Sequence, residues 1–398
     1  MSVSPARCPA GPRLLGYRAT CMRRILRLVA LVTLAAVAAL AWGCGGGSGD
    51  AVAGGSGEVT TPAPPGTLGS TTNVRVGFVT GIDHPYGLAL QRFADAVFAR
   101  SGGRMGIQLA PTYAGGDDLA LLADMRAGRI DAGSVSASVW QSAGVDSFLA
   151  LQMPFLVSTY ALERAVLRSP LAGEMLQGTR SIGLEGLAIH EGGLRKPAAA
   201  DGCLLARDDW QGITMRSVQS PLLAQSIRAL GAEPVEMPLS QVRDAMQSGR
   251  LDAVEANVGL VYSLQLYDVL RCMSGNVNLW PFPTVLAMNQ SAWDALQPAE
   301  RRWLRAAARE VPGASIDILT NPRSTLMRDV CRDGAGFFFF ADATPGQLRA
   351  LRGAVQPVYD RYLATKPAGG FIRRIQRMKA AMPPSPAPPA YPAGCSAG

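Results

Sequence analysis

The sequence predicts an α/β protein of two lobes, each a wound β-sheet flanked by helices, with a ligand crevice between them. Three observations lead there. A chain of 398 residues with 48% hydrophobic and 17% charged residues is globular and too long for one ordinary core. The stretch from Asp208 to Asn257 alternates strand and helix signals as β-α-β-α-β. Finally, Met125-Arg126-Ala127-Gly128-Arg129-Ile130-Asp131-Ala132 is echoed by Met246-Gln247-Ser248-Gly249-Arg250-Leu251-Asp252-Ala253, identical at five of eight positions. Each echo closes such a unit, and wound sheets bind ligands where strand C-termini meet helix N-termini.

Composition narrows the function classes. The net charge of +8 is spread as arginine, without a lysine-rich run or aromatic-interleaved basic stripe. Nucleic-acid binding concentrates its charge, so no nucleic-acid partner is expected; a diffuse basic surface favours acidic ligands. The seven cysteines form no CxxC pair and the two histidines, His84 and His190, lie far apart, so no metal is expected. Cys203, Cys272, Cys331 and Cys395 can form disulfides in an oxidising compartment, in any of three pairings.

Met22-Arg23-Arg24 opens a basic segment, and 28–40 is an apolar run shorter than a membrane span, the pattern of an export signal. It sits late, so translation is expected to start at Met22, with 1–21 an upstream extension. The run ends Leu40-Ala41-Trp42-Gly43-Cys44 before Gly45-Gly46-Gly47-Ser48-Gly49, similar to a bacterial lipoprotein processing site. Cys44 is therefore expected to be lipidated and to hold the protein to a membrane, followed by a solvated Gly/Ser/Thr/Pro-rich tether.

Alternation predicts a strand over 74–79, then a helix carrying Leu88, Leu90, Phe93, Ala94, Val97 and Phe98 that stops at Gly102-Gly103. A strand over 107–110, a helix over 118–127 and a strand over 130–135 complete the first unit. Ser158 is expected to cap a helix, and a strand over 186–191 leads through Gly192-Gly193-Leu194-Arg195 to the second lobe. There Ser220-Pro221 is an N-cap and first-turn proline, with Leu223, Ile227 and Leu230 at i, i+4 and i+7. A strand over 232–237, a helix from Ser240 to Gly249 and a strand over 251–255 follow. Beyond Asn257 the pattern gives a helix with Leu260, Leu264 and Tyr267, a strand over 285–289, and helices over 291–296, 298–310 and 316–330. A strand over 337–340, one amphipathic helix over 344–362 and a basic helix over 371–378 precede a proline-rich tail, which Cys395 can staple down.

Arg216 ends the strand after Gly212, and Arg195 stands on the crossover. An arginine at a strand end can grip a carboxylate with two parallel hydrogen bonds, although on the residues alone a structural salt bridge is the commoner role. Glu255 and Asn257 follow the echoed strand beside Arg216; Asn257 can bond a ligand or cap the next helix. Trp140 can wall the crevice or fill the core. His84-Pro85 reads as a helix start. Ser136 and Ser138 stand near no His or Asp motif and no G-x-S-x-G occurs, so no catalytic residue is assigned. Gly115-Gly116-Asp117 lacks a phosphate-loop lysine and hydroxyl, and no cofactor is expected.

Taken together, the export signal, tether, His84-Pro85, Gly102-Gly103-Arg104, Met125 to Asp131, Met153-Pro154-Phe155, Gly212 to Arg216, Gly231-Ala232 with Val235 to Met237, and Gly249 to Glu255 occur in a known order. Over residues 74–365 the chain resembles the extracytoplasmic solute receptors of TRAP transporters, the dicarboxylate-binding DctP type. The resemblance implies a periplasmic-binding-protein-like fold and capture of an organic acid without chemistry. It makes Arg216 the salt-bridge partner of the ligand carboxylate, with Arg195 assisting. It also implies delivery to integral-membrane TRAP permease subunits driven by an ion gradient. Many members read Asp-Gly-x-Glu-Asn-Asn where this chain has Asp252-Ala253-Val254-Glu255-Ala256-Asn257. Ala256 replaces an asparagine that contacts ligand in sialic-acid receptors, and Ser136 and Val139 replace their acidic and basic residues. A smaller or less polar acid, walled by Trp140 and Leu239, is expected instead. Arg216→Ala is expected to weaken binding with little loss of fold.

The expected partition is an extension (1–21), a signal peptide (22–43), a lipidated Cys44 and tether (44–73), lobe I (74–190 plus about 276–310), lobe II (191–275 plus about 311–378) and a tail (379–398). Other functions make different demands. A receptor for an ABC importer or a sensory lipoprotein would lack neighbouring genes for TRAP permease subunits. A secreted hydrolase needs a nucleophile and base that the scarce histidines do not supply, and a structural lipoprotein has no use for a closable crevice.

Overall fold

The computed structural model describes residues 72–321, 325–383 and 391–396. The extension, signal segment, Cys44 and the tether up to residue 71 lie outside the described residues, as do residues 384–390 and 397–398 of the tail. In the first passage of the chain, β1 (Thr72–Phe78), α1 (Pro85–Ser101), β2 (Met105–Ala110), α2 (Asp118–Arg126) and β3 (Ala132–Ser136) alternate. They are followed by α3 (Tyr160–Arg168), α4 (Pro170–Gln177) and β4 (Leu184–Glu191). His84 caps α1, its ring accepting from the Tyr86 N–H, and Pro85 fills the first helical position. Thr159, one residue beyond the expected Ser158, caps α3.

After a crossover come β5 (Lys196–Ala199), β6 (Thr214–Ser217), α5 (Pro221–Leu230), β7 (Glu233–Glu236), α6 (Val242–Gln247), β8 (Ala253–Ala256), α7 (Val258–Ser263) and β9 (Cys272–Ser274). The chain crosses back into β10 (Pro283–Asn289), α8 (Gln290–Ala295), α9 (Pro298–Ala308) and α10 (Val311–Leu319). It ends with α11 (Leu326–Asp333), β11 (Phe339–Ala341), α12 (Pro345–Ala354), α13 (Gln356–Leu363) and α14 (Ala368–Ala381).

Two sheets result, ordered β2-β1-β3-β10-β4 and β11-β9-β5-β8-β6-β7. In the first, β1 runs parallel to β2 and β3, and β10 is antiparallel to β3 and β4. In the second, β6 runs parallel to β7 and β8, and β5 is antiparallel to β8 and β9. Side chains of β10 alternate between two cores, Val285 and Ala287 facing Leu121, Trp140 and Phe148, while Leu286 and Met288 face Phe78, Phe93 and Trp293. The second sheet is likewise covered on both faces, by Trp210, Leu223 and Ile227 on one and by Met246, Leu260 and Phe340 on the other.

The sequence echo has a physical basis. Gly128 and Gly249 both sit at φ 71 after a helix, where a side chain would be strained. The next N–H bonds back into the helix in both lobes, Arg129 to the Asp124 carbonyl and Arg250 to the Ala245 carbonyl, each at 2.9 Å. Asp131 then accepts from the Arg75 N–H and Asp252 from the Thr214 N–H, each at 2.8 Å. Each aspartate therefore pins a neighbouring strand of its own sheet.

Some boundaries move. The expected helix 316–330 is interrupted, α10 ending at Leu319 and α11 beginning at Leu326. The expected helix 344–362 is two helices, because Pro357 has no N–H to continue the ladder and the chain breaks at Val355. Residues 311–319, grouped by sequence with the second lobe, pack on α1 and β4 of the first. The last helix, α14, also lies on the first lobe, with Phe371, Ile372 and Ile375 in the core that holds Trp140. The disulfides are Cys203–Cys272, tying the loop after β5 to β9, and Cys331–Cys395, tying α11 to the tail.

Candidate ligand-binding site

Register brings the two arginines to one carboxylate. In the parallel pair β6 and β8, Arg216 lies opposite Val254, so Glu255 stands one residue beyond it. In the antiparallel pair β5 and β8, Glu255 lies opposite Pro197, and Arg195 is two residues upstream of that proline. Glu255 Oε1 accepts from Arg216 Nη1 at 2.8 Å, and its Oε2 lies 3.4 Å from Arg195 Nε. Arg216 also donates from Nε and Nη2 to the Met237 carbonyl, at 3.3 and 3.2 Å, fixing the plane of the fork. Arg195 is held flat, its guanidinium carbon 3.8 Å from the Phe282 ring centroid.

All three groups are nearly sealed from solvent: Arg216 is 4% exposed, Arg195 2% and Glu255 1%. Two guanidiniums against one carboxylate leave a formal surplus of one positive charge. Among the described residues, Arg195 Nε and Nη1 have no hydrogen-bond partner. Buried donors of a charged group left in this state are costly, and an anion relieves them.

The first lobe brings polar groups of its own. Asp118 opens α2, with Oδ1 accepting from the Ser136 N–H at 2.9 Å. Burial pushes its carboxyl up to about 6, against the pull of the Ser136 N–H and of the Arg216 and Arg195 charges. Burial holds His84 down at about 3, with the Arg195 charge acting in the same direction, so its imidazole is neutral. Burial raises the Tyr86 phenol, which stays protonated. His84 Nε2 and Tyr86 Oη are buried without hydrogen-bond partners among the described residues. The lobes meet across the crevice where Ser142 Oγ donates to the Gln219 carbonyl at 3.4 Å.

Of the residues singled out from sequence, Arg216, Arg195 and Glu255 come together. Asn257 caps α7, its Oδ1 accepting from the Leu260 N–H at 2.8 Å while its Nδ2 donates to the Gly192 carbonyl. Both ends of the amide are thus engaged by the protein. Trp140 is fully buried, its indole N–H donating to the Val135 carbonyl at 3.4 Å and its ring edge-on to Phe148. Its place is in the first-lobe core, where it supports β3 from behind.

Asp118 and Tyr86 were missed, and His84 was taken only as a helix start. The signal for Asp118 was the doubled acid at the start of α2. Asp117 accepts from the Leu119 and Ala120 N–H groups as the cap, which leaves Asp118 for another task. Among the described residues no group of three or more His, Cys, Asp or Glu is placed to hold a metal ion. A groove of about 930 Å³ lies behind the first lobe between α1, α4, β4, α9 and α10. Of the arginines lining it, Arg180 and Arg305 pair with Glu185, and its acids Glu310 and Asp317 pair with Arg100 and Arg164, whereas the crevice holds a buried guanidinium, Arg195, with an unpartnered donor.

Comparison with known proteins agrees with this architecture. The family model described as bacterial extracellular solute-binding protein, family 7 (DctP) matches residues 76–366. The chain is 24% identical over 239 residues to the 2,3-diketo-L-gulonate-binding periplasmic protein of Escherichia coli K12, a match spanning 60% of this chain and 72% of that protein. A TRAP periplasmic solute-binding protein from Ralstonia eutropha H16, solved with (S)-2-acetolactate, superposes with a TM-score of 0.71 at 25% identity, covering 78% of this chain and 99% of the other. Another, from Polaromonas sp. JS666 bound to D-erythronate, gives 0.70 at 23% identity, covering 77% and 98%. The chain belongs to the DctP family, the bacterial extracellular solute-binding proteins of family 7.

Proposed function

We propose that this protein is the extracytoplasmic receptor of a TRAP-type secondary transporter and that its cargo is a small monocarboxylate bearing a hydroxyl or keto group. The observation that carries this is Arg195, buried over Phe282 with Nη1 unpartnered and Nε ion-paired but not hydrogen-bonded to a Glu255 already engaged by Arg216. A ligand carboxylate takes the free Arg195 donor and the remaining N–H groups of Arg216, a charge-assisted arrangement stronger than neutral hydrogen bonds. Tyr86 Oη, His84 Nε2 and Asp118 then meet the hydroxyl or carbonyl oxygen from the opposite lobe.

Because the arginines sit on the second lobe and these polar groups on the first, a bound acid interacts fully only when the lobes are together. That difference in affinity is what drives closure. Two solved relatives carry acids of this kind, D-erythronate and (S)-2-acetolactate, and a third carries the dicarboxylate succinate. Calorimetry against short hydroxy, keto, dicarboxylic and sugar acids tests the proposal; micromolar or tighter binding of one acid, lost in Arg195→Ala, is expected. No heat from any of these acids at millimolar concentration would overturn it.

The same proposal includes export by the segment 22–43 and lipidation of Cys44, in keeping with the extracellular family. Among the described residues no helix is long and apolar enough to cross a membrane. Cys44→Ser is expected to move the protein from the membrane fraction to the soluble fraction. An unchanged distribution would remove the anchor and leave the receptor function standing.

A further inference from the structure

The crossover between the lobes contains a second constellation that carboxylate capture does not use. Two chain segments pass side by side there: Gly192 N–H donates to the Phe282 carbonyl, Arg195 N–H to the Trp280 carbonyl, and Leu279 N–H to the Arg195 carbonyl, at 3.0, 2.8 and 2.9 Å. At their root stands Glu191, the last residue of β4. Its Oε1 accepts from the N–H of Gly193 on one segment at 2.5 Å and from the N–H of Phe282 on the other at 3.2 Å. A single carboxylate oxygen therefore fastens both crossings.

Its other oxygen faces a second acid. Glu163, on α3, is buried, and its carboxyl lies within hydrogen-bond reach of that of Glu191. Neither Glu163 oxygen nor Glu191 Oε2 accepts from any N–H or hydroxyl donor among the described residues. The other groups facing the pair are Tyr160 on α3, whose Oη accepts from the Leu194 N–H, Ser315 on α10, whose Oγ accepts from the Glu191 N–H, and the Arg195 charge. Arg164 and Asp317 pair with each other nearer the surface.

We propose that Glu163 and Glu191 share one proton, and that this proton latches the crossover in the arrangement that brings the lobes together. Two buried carboxylates this close cannot both ionise, so one holds the proton and donates it to the other. Burial, and then the Glu191 charge, hold Glu163 well above the ordinary 4.5; burial raises Glu191 too, but against the pull of the Glu163 hydrogen bond, the Phe282 and Gly193 N–H groups and the Arg195 charge. The proton therefore resides on Glu163, and Glu191 keeps the charge that grips Gly193 and Phe282. Loss of the proton leaves two anions in contact. Turning Glu191 away relieves them, and that same rotation releases both amides and lets the lobes separate.

The opening motion is taken from the receptor function, but the proton is detectable without any ligand. Infrared spectroscopy of ligand-free Asp118→Asn, which removes the crevice carboxyl also raised to about 6, is expected to show a buried carboxylic-acid band at pH 6, lost at high pH and absent in Asp118→Asn/Glu163→Gln. Spin labels at Ser142 and Gln219, both exposed on facing lobes, are expected to move apart in wild type as pH rises from 5 to 9. In Glu163→Gln, whose amide still donates but cannot ionise, the separation is expected to stay at its low-pH value. An acid band that survives in Asp118→Asn/Glu163→Gln, or a Glu163→Gln variant whose lobes follow the wild-type pH profile, would overturn the latch. Should the variant fail to fold, the wild type decides alone: Gly193 and Phe282 amide exchange that rises with pH only at the intrinsic rate also overturns it. Any of these results leaves receptor function intact, which fails only if no acid binds.

Discussion

Glu255 is shared by Arg216 and Arg195, with one oxygen 2.8 Å from Nη1 of the first and the other 3.4 Å from Nε of the second. Arg216, the proposed ligand anchor, is thus also a structural partner, which changes the expectation that its removal leaves the fold untouched. Breaking a buried ion pair from one side costs about 3–5 kcal/mol, and the Arg195 charge remaining on Glu255 places Arg216→Ala at the lower end. Urea denaturation is expected to show that loss, and calorimetry a fall in acid affinity. A variant that binds normally would take the anchor role away from Arg216.

A lysine at the same place is expected to restore stability more than affinity. Its ammonium can meet Glu255 but cannot also hold the Met237 carbonyl with two N–H groups, so it lacks a fixed plane for the ligand. Comparing Arg216→Lys with Arg216→Ala in both measurements separates the two roles; equal affinity in wild type and Arg216→Lys would show that charge alone suffices.

Asp118 makes affinity depend on pH. Its carboxyl, raised to about 6, is neutral below that value and adds a negative charge to the crevice above it. Binding of a carboxylate anion is therefore expected to weaken as pH rises through about 6, and to weaken less in Asp118→Asn. The amide still accepts from the Ser136 N–H, so the start of α2 is kept. Stability follows the same sign: a raised carboxyl favours the folded state below its unfolded value, and that contribution is lost as pH rises through about 6. Urea melts of wild type and Asp118→Asn at pH 5 and pH 8 should differ most at pH 8, to the advantage of the variant.

The disulfides act on the second lobe. Cys203–Cys272 closes 69 residues and Cys331–Cys395 closes 64. By chain entropy each is worth about 4 kcal/mol. The second also holds the tail, where Phe340 N–H donates to the Cys395 carbonyl at 2.8 Å and Tyr391 stacks on Phe340. Reductant is expected to lower the melting temperature of wild type markedly. In Cys331→Ser/Cys395→Ser, protease should remove the tail, and a tail as resistant as in wild type would show that packing alone retains it.

Much of this was legible from local chemistry. Caps, glycine stops and apolar spacing gave α1 and α5, and the echo around Asp131 and Asp252 gave the paired sheets. The shared grip of Glu255 was not legible, because it depends on β5 entering antiparallel beside β8, a long-range pairing with no local signature. Asn257 shows the opposite limit. Its pattern fitted a cap and a ligand contact equally, and only the positions of the Leu260 N–H and the Gly192 carbonyl show where its two ends go. Asp118 was hidden by Asp117, since one capping acid explained the helix start. The Glu163–Glu191 pair was hidden by distance: residues on a helix and a strand well apart in sequence meet only because α3 packs beside the crossover.

Gly193 gives a direct handle on that crossover. It sits at φ 113, and a Cβ there would come 2.1 Å from Asn257 Nδ2. Gly193→Ala therefore suffers twice, from a backbone conformation that side chains resist, about 1–3 kcal/mol, and from collision with the amide that bonds the Gly192 carbonyl. Asn257→Ser shortens the obstructing side chain while keeping a good cap for α7. The double variant is expected to recover the steric part and leave the backbone strain, so the two changes should be less than additive in urea denaturation. Strict additivity would mean that Asn257 does not press on the crossover. Lobe separation read by scattering is expected to increase in Gly193→Ala and to fall back in the double variant, because the displaced amide no longer wedges the two segments apart.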